Sequence, residues 1–250
     1  MKKMAALALA ACTACALTVP ALAAGGPPAP RQERVAFAKG ASAATIKGTL
    51  KGGADVDYLV RAGAGQTLEV KFESANGQAN FNVLPPGSKD VAMFASARAG
   101  ERTFKVVLPT DGDYAIRVFL ERAAARRNEK ANFTLTVAVS GTALPPLPGA
   151  RDAKVKGTAF HATAQVSCLP PFASAPGTCD AGVIRRGTDG TATVELRGNG
   201  QVRRILFVGG KPVSSDATEP LTAARAGDTT QVKIGDDERY DIPDPLLTGG

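Results

Sequence analysis

Between Asp113 and Val137 apolar side chains fall at every second position twice over, first at Tyr114, Ile116, Val118 and Leu120, then at Phe133, Leu135 and Val137. A period of two puts these side chains on one face of an extended strand and leaves Ala115, Arg117, Phe119 and Glu121 on the other. Between the two runs stand Arg122, Arg126, Arg127 and Lys130. Their charges have no place in a core, so they must meet water or an acidic surface. The stretch therefore reads as two strands joined by a basic connection. Within it only residues 122–130 have helix-forming composition, and one short helical turn is predicted there.

The same alternation recurs upstream in short runs: Thr45 to Leu50, Asp57 to Arg61, Thr67 to Phe72, Ala79 to Leu84, Val91 to Phe94 and Thr103 to Leu108. Lys51-Gly52-Gly53, Gly63-Ala64-Gly65, Pro85-Pro86-Gly87 and Asp111-Gly112 punctuate them as turns. Many short strands at even spacing predict an all-β sandwich. Downstream, His161 to Cys168, Gly182 to Arg185, Thr191 to Leu196, Arg203 to Val208, Thr230 to Ile234 and Arg239 to Ile242 repeat the style, with Asp189-Gly190 as a hairpin signal. They predict a second, small antiparallel sheet or partly closed barrel. Pro- and Gly-rich stretches at 25–33 and 140–152 read as a leader and a linker. The expected organisation is a signal peptide over 1–24, a β-sandwich over 34–140, a linker over 141–152 and a small β domain over 153–250.

Lys2 and Lys3, an Ala/Leu-rich run and Ala21-Leu22-Ala23-Ala24 form an export signal with a small-x-small cleavage site. Leu9-Ala10-Ala11-Cys12 also has the form of a lipobox, so the alternative to a free periplasmic protein is a lipoprotein held through Cys12. No later segment is apolar for the roughly 18 residues a membrane-spanning helix needs. Without Cys12 and Cys15 the exported chain keeps Cys168 and Cys179, which read as one disulfide closing a proline-rich loop. One histidine and two cysteines do not make a tetrahedral metal site. The formal charge of +7 falls by two with the signal. That modest excess suits an anionic envelope surface or an acidic protein partner. Without Trp and with few Tyr to stack on bases, it argues against nucleic acid.

Catalytic chemistry is hard to assemble from these residues. His161, the only histidine, sits in AFHATAQV with no adjacent acid or cysteine and reads as structural or solvent-facing. Asp55 with Asp57, and Asp236-Asp237-Glu238, are close enough in sequence to raise glycoside hydrolysis, but acids at turns and strand ends are common. The second group reads as a solvated hairpin turn. A calcium site on the Asp55-x-Asp57 spacing is a weaker alternative. Gly63-Ala64-Gly65 lacks the Lys-Ser/Thr and the helix of a phosphate loop. No enzyme, no cofactor and no metal are expected.

Around the basic connection the chain resembles the periplasmic inhibitors of goose-type (g-type) lysozyme, in the pattern YxIRVxLxRxAARRNExANxxL carried by Tyr114, Ile116, Arg117, Val118, Leu120, Arg122, Ala124, Ala125, Arg126, Arg127, Asn128, Glu129, Ala131, Asn132 and Leu135. Val56-Asp57-Tyr58, Gly65-Gln66-Thr67-Leu68, Asn80-Phe81-Asn82-Val83 and Pro85-Pro86-Gly87 continue it upstream, so that it covers about residues 40–139. The resemblance implies an eight-stranded sandwich similar to the domains that follow secreted peptidases, some of which look like carbohydrate-binding modules. It implies a g-type lysozyme as protein partner and a cleft-occluding loop, with Tyr58, Arg117, Arg122 and Arg126 in contact and Arg127 and Asn128 positioning the loop. The rival readings are a module that binds peptidoglycan or another envelope glycan through the sandwich face and a structural envelope protein with no small ligand, neither of them an inhibitor.

Overall fold

A computed structural model describes residues 29–249; the export signal and Cys12 lie outside the described residues. The N-terminal half runs β1 (Arg31–Arg34), β2 (Ala43–Lys51), β3 (Val56–Ala62), β4 (Thr67–Ser74), β5 (Ala79–Leu84), β6 (Phe94–Ala95), α1 (Ser96–Ala99), β7 (Thr103–Val107), β8 (Gly112–Leu120), α2 (Arg122–Arg126) and β9 (Lys130–Ser140). The strands form two sheets, in the orders β1-β3-β8-β5-β6 and β2-β9-β4-β7. The alternation in β8 and β9 decides which faces meet. Tyr114, Ile116, Val118 and Leu120 from one sheet and Phe133, Leu135 and Val137 from the other are all buried in one core. Phe72, Phe81 and Phe133 stack through it at centroid separations of 5.7 Å. Gly48 in β2 is where the ring of Phe133 lies: an added Cβ would sit 2.3 Å from its Cζ, so any side chain there would displace the ring.

The predicted sandwich is present with one strand more than expected. Arg31–Arg34, all but its last residue in the region read as a leader, pairs parallel with β3 as an edge strand. Four polar residues at an edge give no alternation to read.

The C-terminal half adds β10 (Ala162–Leu169), β11 (Gly177–Arg185), β12 (Ala192–Gly198), β13 (Gln201–Val208), β14 (Lys211–Ser215), β15 (Leu221–Ala226), β16 (Thr229–Ile234), β17 (Glu238–Pro243) and α3 (Asp244–Thr248). They make one eight-stranded sheet, β14-β13-β12-β11-β10-β17-β16-β15, antiparallel throughout. It curls until its two edges, β14 and β15, lie side by side without pairing, which is the partly closed barrel. Cys168 and Cys179 form the expected disulfide between β10 and β11.

Glu238 departs from its expected place in a solvated turn. It is 7% exposed, and both its carboxylate oxygens accept from Arg203, at 2.6 and 2.8 Å, while the Tyr240 hydroxyl donates to one of them at 2.9 Å. Only Gly235, Asp236 and Asp237 turn the chain between β16 and β17. Asp216, 1% exposed, accepts from Arg203 and from the Arg204 backbone N–H, and burial pushes its carboxyl above the ordinary range.

The two halves meet over a satisfied polar seam. The Arg186 side chain is fully buried and donates to Asp111 Oδ2 at 2.8 Å, to Thr193 Oγ1 at 2.9 Å and to the Leu144 carbonyl. Thr193 in turn donates to the Pro109 carbonyl at 2.7 Å. The segment read as a linker is pinned here too, since the N–H groups of Leu144 and Leu147 donate to Ala64 and Arg185 carbonyls at 2.8 Å. His161 is structural: its Nδ1 accepts the Arg185 N–H at 2.9 Å, so Nε2 carries the proton and donates to the Leu147 carbonyl at 3.1 Å.

Candidate functional site

Strand β8 runs from the seam at Gly112 to the opposite end of the sandwich at Leu120, and there the chain turns through α2 into β9. The predicted helical turn is Arg122–Arg126. Five residues cannot hold a helix by themselves. The corner is held instead by contacts on every side. Ala124 is fully buried in the sandwich core. The Glu121 N–H donates to the Gln78 carbonyl at 2.9 Å, and its carboxylate accepts from Asn80 Nδ2 at 3.1 Å. Glu129 closes the other side, accepting from Asn76 Nδ2 at 3.1 Å and from Arg127 Nε at 2.8 Å. These bonds hold the Glu129 carboxyl below the usual carboxylate range, with Asn76 the larger cause. Asn128 takes the left-handed conformation, φ 56°, that lets the chain leave the helix, which asparagine tolerates better than most residues. Beside it the Gly52 N–H of the β2–β3 turn donates to the Glu129 carbonyl at 2.9 Å.

From this braced corner Arg122 and Arg126 project into solvent without a carboxylate partner among the described residues. They are four residues apart, on one face of the turn. The Arg126 Nε donates to the Arg122 carbonyl at 3.3 Å. Arg127 is different, since Glu129 engages it.

Two residues expected in contact with a partner lie elsewhere. Arg117 points outward from β8 but is committed to Asp57 directly across on β3, with Nε–Oδ1 at 2.7 Å and Nη2–Oδ2 at 2.9 Å, and its Nη1 donates to the Lys89 carbonyl at 3.0 Å. The pair raises the guanidinium further above its ordinary range. Tyr58 is a correction. It is 2% exposed and packs edge-on to Phe133, ring centroids 6.2 Å apart, because it shares the inward face of β3 with Val56 and Val60. It is part of the core beneath the corner, and its ring is not available to a partner.

No family model matches the chain, and no curated protein matches it. Solved structures do. The crystal structure of Aeromonas hydrophila PliG, a periplasmic lysozyme inhibitor of g-type lysozyme, is 36% identical over 98% of its chain and 45% of this one, with a TM-score of 0.42. The chain belongs to the family of periplasmic g-type lysozyme inhibitors. Salmonella Typhimurium PliG matches at 26% identity over 98% of its chain and 44% of this one, TM-score 0.36. A mutant of the Escherichia coli PliG matches at 27% identity over all of its chain and 45% of this one, TM-score 0.36. More than half of this family member therefore lies outside what it shares with them.

Lys51 of this inhibitor-family chain was not legible as part of the site. It lies directly opposite Lys130 where β2 and β9 reach the corner. Only the strand register brings the two together, and no spacing in the sequence announces it.

Proposed function

We propose that this protein inhibits a g-type lysozyme by seating the α2 corner in the enzyme's substrate cleft, with Arg122 and Arg126 as the contact residues. Hydrolysis of a glycosidic bond requires a carboxylic acid in that cleft. An arginine entering it forms a bidentate, charge-assisted bond with the acid and fills space the glycan chain would occupy. A close charge pair of this kind, desolvated at an interface, couples by about 1.5–7 kcal/mol, enough to carry tight inhibition. Arg127, Asn128 and Glu129 position the corner; Arg117 supports it from beneath through Asp57. The protein acts by binding and has no catalytic group of its own in this reading, and it works in the periplasm, as its relatives do.

The observation that carries the proposal is the contrast within one corner. Glu121, Arg127 and Glu129 are engaged by side-chain bonds, yet Arg122 and Arg126 are left exposed without an acid. The backbone that carries them is held by those bonds, so little backbone ordering entropy is lost on binding.

The test is the clearing rate of a cell-wall suspension by g-type lysozyme with and without purified protein, using a hen-type lysozyme as the specificity control. Selective loss of g-type activity at stoichiometric protein is expected. Undiminished activity at micromolar excess overturns the proposal.

A further inference from the structure

The cross-strand pair Lys51–Lys130 is a second uncompensated charge arrangement at this end of the sandwich. The two residues sit directly opposite each other where β2 meets β9, both side chains are exposed, and neither has an ion pair among the described residues. Like charges at directly opposed positions destabilise a sheet, and an acid at either place would stabilise it. The acids nearby do not serve. Glu129 is held by Asn76 and Arg127, Glu73 pairs with Lys71 at 2.7 Å, Glu121 accepts from Asn80, and Asp57 is taken by Arg117. Thr49 and Asn132, the next outward pair along the same strands, bond to each other at 2.7 Å.

The pair does not stand alone. The β2–β3 turn that follows Lys51 rests against the α2–β9 corner: the Gly52 N–H bonds the Glu129 carbonyl, and Asn128 Oδ1 lies 2.8 Å from where a Gly52 Cβ would be. Lys51 and Lys130 thus lie at the same end of the sandwich as Arg122 and Arg126.

We infer that Lys51 and Lys130 form an electrostatic approach surface beside the arginine tip, fitted to an acidic patch on the rim of the partner's cleft. This rests on the inhibitor reading above and adds a division of labour to it. Arg122 and Arg126 enter the cleft and set how long the complex lasts. The lysines stay solvated at the rim and set how fast it forms, because rim charges act mainly through the association rate.

The test is stopped-flow or surface-plasmon kinetics of the full chain against g-type lysozyme, for the wild type, Lys51→Glu and the double change Lys51→Glu/Lys130→Glu, at about 50 mM and about 500 mM NaCl. At low salt the double variant is expected to associate at least tenfold more slowly, with dissociation changed less than twofold. At high salt the two rates converge, since the Debye length shrinks from over 10 Å to a few ångströms. Lys51→Glu, now facing Lys130, is expected to melt at a higher temperature than the wild type while associating more slowly, a combination that damage to the fold does not produce. An association rate that does not move, or a loss carried by dissociation alone, overturns the inference while leaving the inhibitor reading intact. A wild type that does not bind g-type lysozyme at either salt overturns the inhibitor reading itself.

Discussion

Arginine at four positions of one short stretch does different work, and the structure separates the kinds by what each guanidinium touches. Arg122 and Arg126 touch no acid within the described residues, so Arg122→Ala and Arg126→Ala together are expected to remove inhibition in the clearing assay. Unfolding free energy should stay within about 0.5 kcal/mol of the wild type, as for surface positions away from any network. Arg117 behaves in the opposite way. Its truncation leaves Asp57, whose side chain is 5% exposed, as a buried and unpaired carboxylate. Arg117→Ala should therefore cost about 3 kcal/mol in denaturant unfolding; a change below about 1 kcal/mol would return Arg117 to the list of partner contacts. The sequence offers the alternation that turns Arg117 away from the core, but not the carboxylate opposite it, because that depends on the β3–β8 register. For Tyr58 the resemblance implies a partner role, while its inward position beside Val56 and Val60 follows the period of two.

Strands with strong alternation, β8 and β9 above all, are where sequence reading reaches the structure almost residue by residue. It fails at β1, β14 and β15, which are edges of their sheets. An edge strand buries little, so Leu221–Ala226, exposed along almost its whole length, carries no apolar period to detect. The short helix α2 is legible from composition, but the bracing that fixes it is not, since Asn76 and Asn80 come from the β4–β5 connection and the start of β5, more than 40 residues earlier in the chain than the Glu129 and Glu121 they hold. Glu129 gives that bracing a pH dependence. Its carboxyl is held below the ordinary range in the folded protein, so its contribution is complete above the unfolded value and is lost as pH falls through the folded one. Amide exchange across residues 121–130 should accelerate in that acidic window more than exchange in the core of β8. Glu129→Gln should remove the acid-dependent step; an unchanged exchange profile in the variant would show that Glu129 does not hold the corner.

At the scale of the molecule, two halves with separate cores are locked by one buried guanidinium. Arg186 lies in the C-terminal half while Asp111, Pro109 and Leu144 lie in the N-terminal half or the segment that follows it, so the seam cannot open without leaving charges and carbonyls unpartnered. Arg186→Ala is expected to cost about 3 kcal/mol and to split one calorimetric transition into two; a single unshifted transition would mean that the halves are coupled elsewhere. The sequence predicted the two β regions but treated residues 141–152 as a spacer, because Pro-rich composition reports the absence of regular structure and not the absence of contacts. The buried Arg186 has a hydrodynamic consequence. Beads on a string would each reorient at their own rate, whereas a pair fused at this seam has one rotational diffusion tensor. Nitrogen-15 relaxation should therefore fit amides in β8 and in β12 to one diffusion tensor, and the arginine tip would reorient against the hydrodynamic drag of both halves.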